Sequence, residues 1–164
     1  MIRAILLLTI ALLFSQPPTA VGATKLQITA VKALLFYDKT GQFSKDVLSE
    51  SDPDIPDLWN VTMSSHSTFV VVEISGPPGQ LAASGSRVNF VATYKAWTPS
   101  LNGPPATDKT VRQAGSITYF SDEGKSYVGF WLYDTGCYPV QISVTLNSDP
   151  KSKREAAIPF ACGD

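Results

Sequence analysis

From Arg87 to Lys95 the chain alternates. Val88, Phe90, Ala92 and Tyr94 fall on one face, and Arg87, Asn89, Thr93 and Lys95 on the other. Only an extended chain turns a period of two into one apolar and one polar face, so the segment reads as a half-buried antiparallel strand. No long stretch shows a helical period. Phe69 to Ile74 reads as a second strand, ended by the turn-forming Gly76-Pro77-Pro78-Gly79. Ser126 to Tyr133 is a third, with Val128, Phe130 and Leu132 inward and Trp131 on the opposite side. Gly115 to Phe120 precedes it, and Ser121-Asp122-Glu123-Gly124 fits a hairpin turn between the two. Leu26 to Tyr37 is expected to open the fold as a bent strand, because its apolar pattern drifts. Tyr138 to Leu146 and Glu155 to Ala161 close it, joined by a polar turn over Asn147 to Ser152. Two stretches rich in Pro, Ser, Asp and Gly, Asp38 to His66 and Ala96 to Gln113, read as end loops, the first with a short helical turn near Ser44 to Ser49. About seven strands of this kind predict an all-β fold, an antiparallel immunoglobulin-like β-sandwich. With 12 Pro and 11 Gly in 164 residues, turns are frequent enough for that architecture.

The two cysteines, Cys137 and Cys162, are expected to form one disulfide. They stand equidistant from a hairpin centre between Asp149 and Pro150. Matching the apolar faces instead, Val140 with Phe160 and Ile142 with Ile158, needs a register one residue away. A bulge at Gly136-Cys137 or near Pro139 would reconcile the two.

The chain begins with Arg3, an apolar run from Ala4 to Phe14, and a short polar stretch ending in Val21-Gly22-Ala23. That order is a cleavable secretory signal over residues 1–23, leaving residues 24–164 as a single β-sandwich domain, periplasmic or secreted. The apolar run is shorter than the roughly 20 residues that span a bilayer, so no membrane anchor is expected. Neither cysteine follows the cleavage site, so lipid attachment there is not expected. With 13 Lys+Arg against 14 Asp+Glu, the chain lacks the basic excess of a nucleic-acid binder.

Catalytic candidates are sparse. Asp134-Thr135-Gly136 spells the aspartic protease triplet, but that chemistry needs two aspartates sharing a proton, and no second Asp-Thr/Ser-Gly exists. A turn is the better reading. His66 is the sole histidine, which excludes a two-His metal site. Ser64, Ser65 and Ser67 flank it, but adjacency in sequence is not a triad. Asp46, Glu50, Asp52, Asp54 and Asp57 are crowded together, and Asp52, Asp54 and Asp57 could supply calcium ligands. Against that, the stretch lacks the spacing of an EF-hand loop, and Pro53 and Pro56 suit an extended acidic loop. Trp59, Trp97 and Trp131 are candidates for stacking on a sugar ring or a peptide. Asn60-Val61-Thr62 fits a glycosylation sequon.

Leu35-Phe36-Tyr37, Thr40-Gly41-Gln42-Phe43-Ser44, Leu58-Trp59-Asn60 and the ending Phe160-Ala161-Cys162-Gly163-Asp164 resemble a family of small uncharacterised exported proteins of Gram-negative bacteria. The resemblance implies a bacterial envelope setting and no activity, cofactor or catalytic residue. The expectation is therefore a non-catalytic exported domain without a cofactor, binding an envelope protein or glycan. A carbohydrate- or calcium-dependent module using the end loops is the alternative. A hydrolase built from loop carboxylates such as Asp54, Asp57 and Asp108 ranks third.

Overall fold

A computed structural model describes residues 25–49, 65–96 and 106–160. Residues 1–23, read above as an export signal, lie outside them. Eight strands occur in chain order: β1 Gln27–Tyr37, β2 Gln42–Asp46, β3 Ser67–Ser75, β4 Arg87–Ala96, β5 Thr107–Ser116, β6 Lys125–Tyr133, β7 Val140–Leu146 and β8 Asp149–Ile158. They form two antiparallel sheets of order β2-β1-β3-β6 and β5-β4-β7-β8. No helix occurs among the described residues.

The alternation seen in the sequence selects the core. In β4, Val88, Phe90, Ala92 and Tyr94 are buried. From the other sheet come Val70, Val72 and Ile74 of β3 and Val128, Phe130 and Leu132 of β6. Phe90 and Phe130 stack between the sheets, their centroids 4.5 Å apart and planes 13° from parallel. Each such side chain contributes roughly 1.5–3 kcal/mol when fully removed from water. Gly115 on β5 leaves the space that Val128 and Phe130 fill, since a Cβ there would collide with Val128. Phe120, fully buried, plugs one end of the sandwich over Gly76, where a Cβ would lie 2.5 Å from its ring.

Several elements depart from expectation. β1 is bent as its pattern suggested, with a register shift between Ile28 and Ala30. The stretch over Ser44 to Asp46 is not helical: it belongs to β2, and only Val47 to Ser49 turn, around Asp46. The segment Thr107 to Gln113, expected as loop, is most of β5. Its side chains carry no apolar alternation because it is an edge strand whose outer face meets water. The hairpin expected between Gly115–Phe120 and β6 does not form. The tight turn at Ser121 is present, with Gly124 donating to the Ser121 carbonyl at 2.8 Å. But Gly115 and Ser116 pair with β4 in the other sheet. Ile117 to Ser121 then run beside the β3–β4 connection, where Ala82, Phe120 and Gly79 make backbone bonds across the gap. Ile117 and Phe120 are both buried, a spacing of three that no single flat strand supplies.

The last hairpin is also tighter than expected. β7 and β8 join through Asn147 and Ser148 alone, and Val140 pairs with Ile158, not with Phe160. The slip is two residues, so Ile158 and Phe160 still face inward. The irregularity of this hairpin is a bulge between Val144, which pairs with Arg154, and Leu146, which pairs with Asp149, not one near Gly136 or Pro139. Ser152 fills the bulge: its hydroxyl donates to the Asp149 carbonyl at 2.6 Å and accepts from the Leu146 amide at 3.2 Å.

Truncating the stacked pair between the sheets tests this core. Phe130→Ala is expected to cost about 3–5 kcal/mol, and Gly115→Ala about 1–3 kcal/mol by overpacking against Val128. Both should appear as lower midpoints in urea denaturation.

Candidate functional site

The two outer faces differ. On the β5-β4-β7-β8 sheet, the outward positions of β4 are Arg87, Asn89, Val91, Thr93 and Lys95, and their neighbours include Thr110, Arg112, Gln141 and Ser143, a surface that is polar apart from Val91 at its middle. On the β2-β1-β3-β6 sheet, Lys32, Val71, Glu73 and Lys125 face outward at one end and aromatic rings at the other. Register brings these rings together: Phe36 of β1 lies opposite Phe43 of β2, and Phe69 of β3 opposite Trp131 of β6. Tyr133 follows Trp131 on the same face of β6. Ring centroids are 5.4 Å apart for Phe36–Phe43, 5.8 Å for Phe36–Trp131, 5.9 Å for Phe43–Trp131 and 4.9 Å for Phe69–Trp131. Most of these pairs are tilted, but Trp131 and Tyr133 are within 11° of parallel at 6.2 Å. Gly129 makes room for the cluster, because the Phe69 ring occupies the place a Cβ would take. Phe43 is 45% exposed and Tyr133 58%, so the group is open to solvent. Five linked rings thus share one solvent-facing surface, with Phe36, Phe69 and Trp131 half-buried beneath the exposed Phe43 and Tyr133.

Trp131 stands on the outer face, as its alternation required, and it is the centre of the cluster. Phe36, Phe43 and Phe69 were not singled out from the sequence. Their signal was their parity, outside the core set, but only the strand order joins them. Trp59, Trp97, Asp52, Asp54, Asp57, Asn60 and Cys162 lie outside the described residues. Asp46, at the start of that acidic stretch, is occupied structurally: its carboxylate accepts from the Ala33 and Leu48 amides at 2.9 and 3.1 Å. Asp108 sits on β5 opposite Lys95. Among the described residues, no three His, Cys, Asp or Glu side chains converge as metal ligands. Cys137 is buried, and no described cysteine is a free thiol.

The Asp134-Thr135-Gly136 triplet forms the corner after β6. Asp134 takes φ 60°, a left-handed conformation that Asp tolerates better than most residues. Its carboxylate meets the Lys109 ammonium at 3.0 Å, so its neighbour is a cation and not a second carboxylate. Lys109 also lies 5.7 Å from the Tyr94 ring centroid. Burial works against the Lys109 charge, but Asp134 and Tyr94 outweigh it and its pKa is raised. The contribution of that charge to stability is therefore present through neutral pH and lost only as pH rises past the lysine range. Burial raises the Tyr94 phenol in turn, with Lys109 opposing the shift. The Tyr94 hydroxyl donates to the Tyr133 carbonyl at 2.8 Å, tying one sheet to the other. Thr135 is buried, bonds Thr68 hydroxyl to hydroxyl at 2.8 Å, and donates its amide to the His66 carbonyl at 3.1 Å. His66 itself meets Asp38 at 2.6 Å. Ser65 beside it donates its hydroxyl to the Ser67 carbonyl at 2.9 Å. The triplet is thus a hydrogen-bonded corner.

Compared with protein families, with curated proteins and with solved structures, the chain matches none.

The corner has a double-mutant signature. Thr135→Val or Thr68→Val alone is expected to cost about 1–3 kcal/mol, because each strands a buried hydroxyl, whereas the pair together should cost markedly less than the two singles summed. Asp134→Asn, which keeps the backbone preference and removes a half-exposed ion pair, should change stability by less than about 1 kcal/mol. Denaturant titration of the variants measures both.

Proposed function

We propose that this protein is a non-catalytic, exported β-sandwich that binds a partner protein in the bacterial envelope through its aromatic sheet face. The observation that carries the reading is the asymmetry of the two outer faces: no ring cluster on one sheet, and Phe36, Phe43, Phe69, Trp131 and Tyr133 gathered at one end of the other. Leaving rings of this size in water forgoes burial that a core would reward, and a contact surface recovers it. The tilted packing of the three phenylalanines gives an uneven apolar relief, which suits protein side chains better than a flat sugar ring. Export rests on the charged, apolar and small-residue order of residues 1–23.

The strand order supports an immunoglobulin-like topology. β1, β3 and β6 correspond to strands A, B and E, and β4, β7 and β8 to C, F and G. β5 flanks β4 in the place of an added C′ strand, and β2 extends the A edge. The disulfide belongs to the same proposal. Cys137 is buried just before β7, Val140 pairs with Ile158, and Cys162 follows Ile158 by four residues in the sequence. Closing that loop would stabilise the fold by roughly 3–4 kcal/mol.

Photo-crosslinking from position 43 in intact cells is the direct test of the face. A discrete adduct is expected, and Tyr133→Ser should weaken binding of the captured partner about tenfold without lowering stability. Binding that survives both Phe43→Ser and Tyr133→Ser would remove the face from consideration. The nearly parallel Trp131 and Tyr133 rings favour a second reading, a glycan ligand. Glycan binding that Trp131→Ala abolishes would favour it over the first.

Export and crosslinking have their own readout. Intact-mass analysis of protein from the periplasm or medium should place the N-terminus at Thr24 with no free thiol. Reduction should lower the melting temperature by several degrees.

A further inference from the structure

The two sheets end in four edge strands, β2, β5, β6 and β8. An edge is open to a further strand where its course is regular and its outward N–H and C=O groups are unclaimed. Three of the four fail that test. β2 has five residues, and its pairing with β1 is irregular. β8 opens with Asp149-Pro150, and its pairing with β7 is bulged. The outward groups of β6 are claimed from within the chain. The Ser121 hydroxyl accepts from the Lys125 amide at 3.2 Å, and the Ser121 amide donates to the Lys125 carbonyl at 2.8 Å. Gln113 and Tyr94 donate to the Trp131 and Tyr133 carbonyls. β5 is different. It pairs with β4 in unbroken register over ten residues, Thr107 to Ser116.

Hydrogen-bond parity identifies the groups that point away from the sheet. The Ile117 amide donates to the Ser86 carbonyl at 2.9 Å, whereas Arg87 bonds through both its amide and its carbonyl to Asn147 on the β7 side. These roles alternate along an antiparallel ladder. The odd-numbered residues of β5 therefore bond to β4, and Asp108, Thr110, Arg112 and Ala114 direct N–H and C=O outward. Among the described residues, no group claims them. The Lys109 and Gln113 side chains turn toward the other sheet, where they meet Asp134 and the Trp131 carbonyl and close the seam between β5 and β6. The even-numbered side chains of β5 are exposed.

Charge decides what such an edge admits. Asp108 and Arg112 have opposite signs and stand on one face of β5, and neither enters an ion pair among the described residues. We propose that β5 pairs with β5 of a second copy of this chain, antiparallel across a two-fold axis at Thr110. In that register Asp108 lies opposite Arg112 of the partner subunit, and Arg112 opposite Asp108 of the partner subunit. Thr110 lies opposite Thr110 of the partner subunit. All are hydrogen-bonded pairs, because the even-numbered residues carry the outward groups. Opposite charges and paired threonines are both favourable cross-strand neighbours. An axis at Asp108 or Arg112 would set a charge against its own copy, which a self-complementary interface must avoid. An axis at Lys109 or Val111 would leave both Asp108 and Arg112 opposite neutral residues. The pairing runs from Thr107 to Gln113, a short ladder, so the interface belongs to the small and transient class. The product is one eight-stranded sheet. It leaves the aromatic face of the other sheet unused, so the proposal does not rest on what binds there.

Light scattering of the purified protein at low salt, from roughly 1 μM to 1 mM, tests the pairing. A mass rising from monomer to dimer is expected. Arg112→Glu sets carboxylates against each other at both ends of the ladder and should weaken the dimer about tenfold or more. Adding Asp108→Arg to it reverses both signs and should restore the dimer, which a mere loss of folding could not imitate. Amide hydrogen exchange of the wild type reads the edge without mutation. The Thr110 and Arg112 amides should slow as dimer forms, whereas the Val111 amide, bonded to β4, should be slow throughout. A monomer at every concentration overturns the proposal. So does a dimer indifferent to Arg112→Glu, one that the second substitution fails to restore, one broken by Phe43→Ser instead, or fast exchange at Thr110 and Arg112 within the dimer.

Discussion

The stacking of Phe90 on Phe130 is the contact on which the rest depends. It fixes which face of β4 and which face of β6 point inward, and a strand has only two faces. Once Phe90 is inside, Val88, Ala92 and Tyr94 are inside too, and the polar alternates of β4 must be outside. Once Phe130 is inside, Val128 and Leu132 follow, and Trp131 and Tyr133 are left on the surface. The aromatic face is therefore the unavoidable reverse of the core. Two glycines adjust the fit. Gly115 removes a side chain where β5 comes close to Val128, and Gly129 removes one where the tip of the Phe69 ring meets the sheet.

Much of this was legible in the sequence. The strands with a clean period of two, β4 and β6, could be read with the correct inward set. So could the Gly-Pro punctuation after β3 and the bend in β1. Edge strands were less legible for a physical reason. β5 is wetted on its outer side, and its inner positions hold the Lys109 stem, Val111 and Gly115, so no alternation marks it. β2 hides similarly, since its pairing depends on the Ser44 hydroxyl and the Asp46 carboxylate reaching the amides of β1. The Gly115 to Phe120 segment forms no hairpin with β6 because the chain changes sheets there. Crossing from one layer to the other needs a run that is neither strand nor turn, and Ile117 and Phe120 mark it by spacing of three.

The candidate site was legible only in part. Trp131 announced its outward direction through the parity of β6, but a single ring is not a surface. Its partners come from β1, β2 and β3, and what unites them is the order of strands in the sheet. The corner after β6 carried the opposite lesson. Its Asp-Thr-Gly letters suggest chemistry, yet Lys109, Thr68 and the His66 backbone consume the polar groups of Asp134 and Thr135. A three-residue motif gains its meaning from the second half of the site, and here that half is a lysine and a buried hydroxyl.

The strand order also bears on how the chain reaches this structure. β3 lies between β1 and β6, and β4 lies between β5 and β7. Neither β3 nor β4 has both its neighbours until the C-terminal part of the chain has arrived, and Val70 must find Phe130 across all of β4 and β5. Contacts of such separation place the rate-limiting step late and make it slow, in the range of milliseconds to seconds. An N-terminal fragment has no sheet it can complete alone. A chain with this topology remains an open polymer until nearly all of it has been delivered, and then closes both layers together.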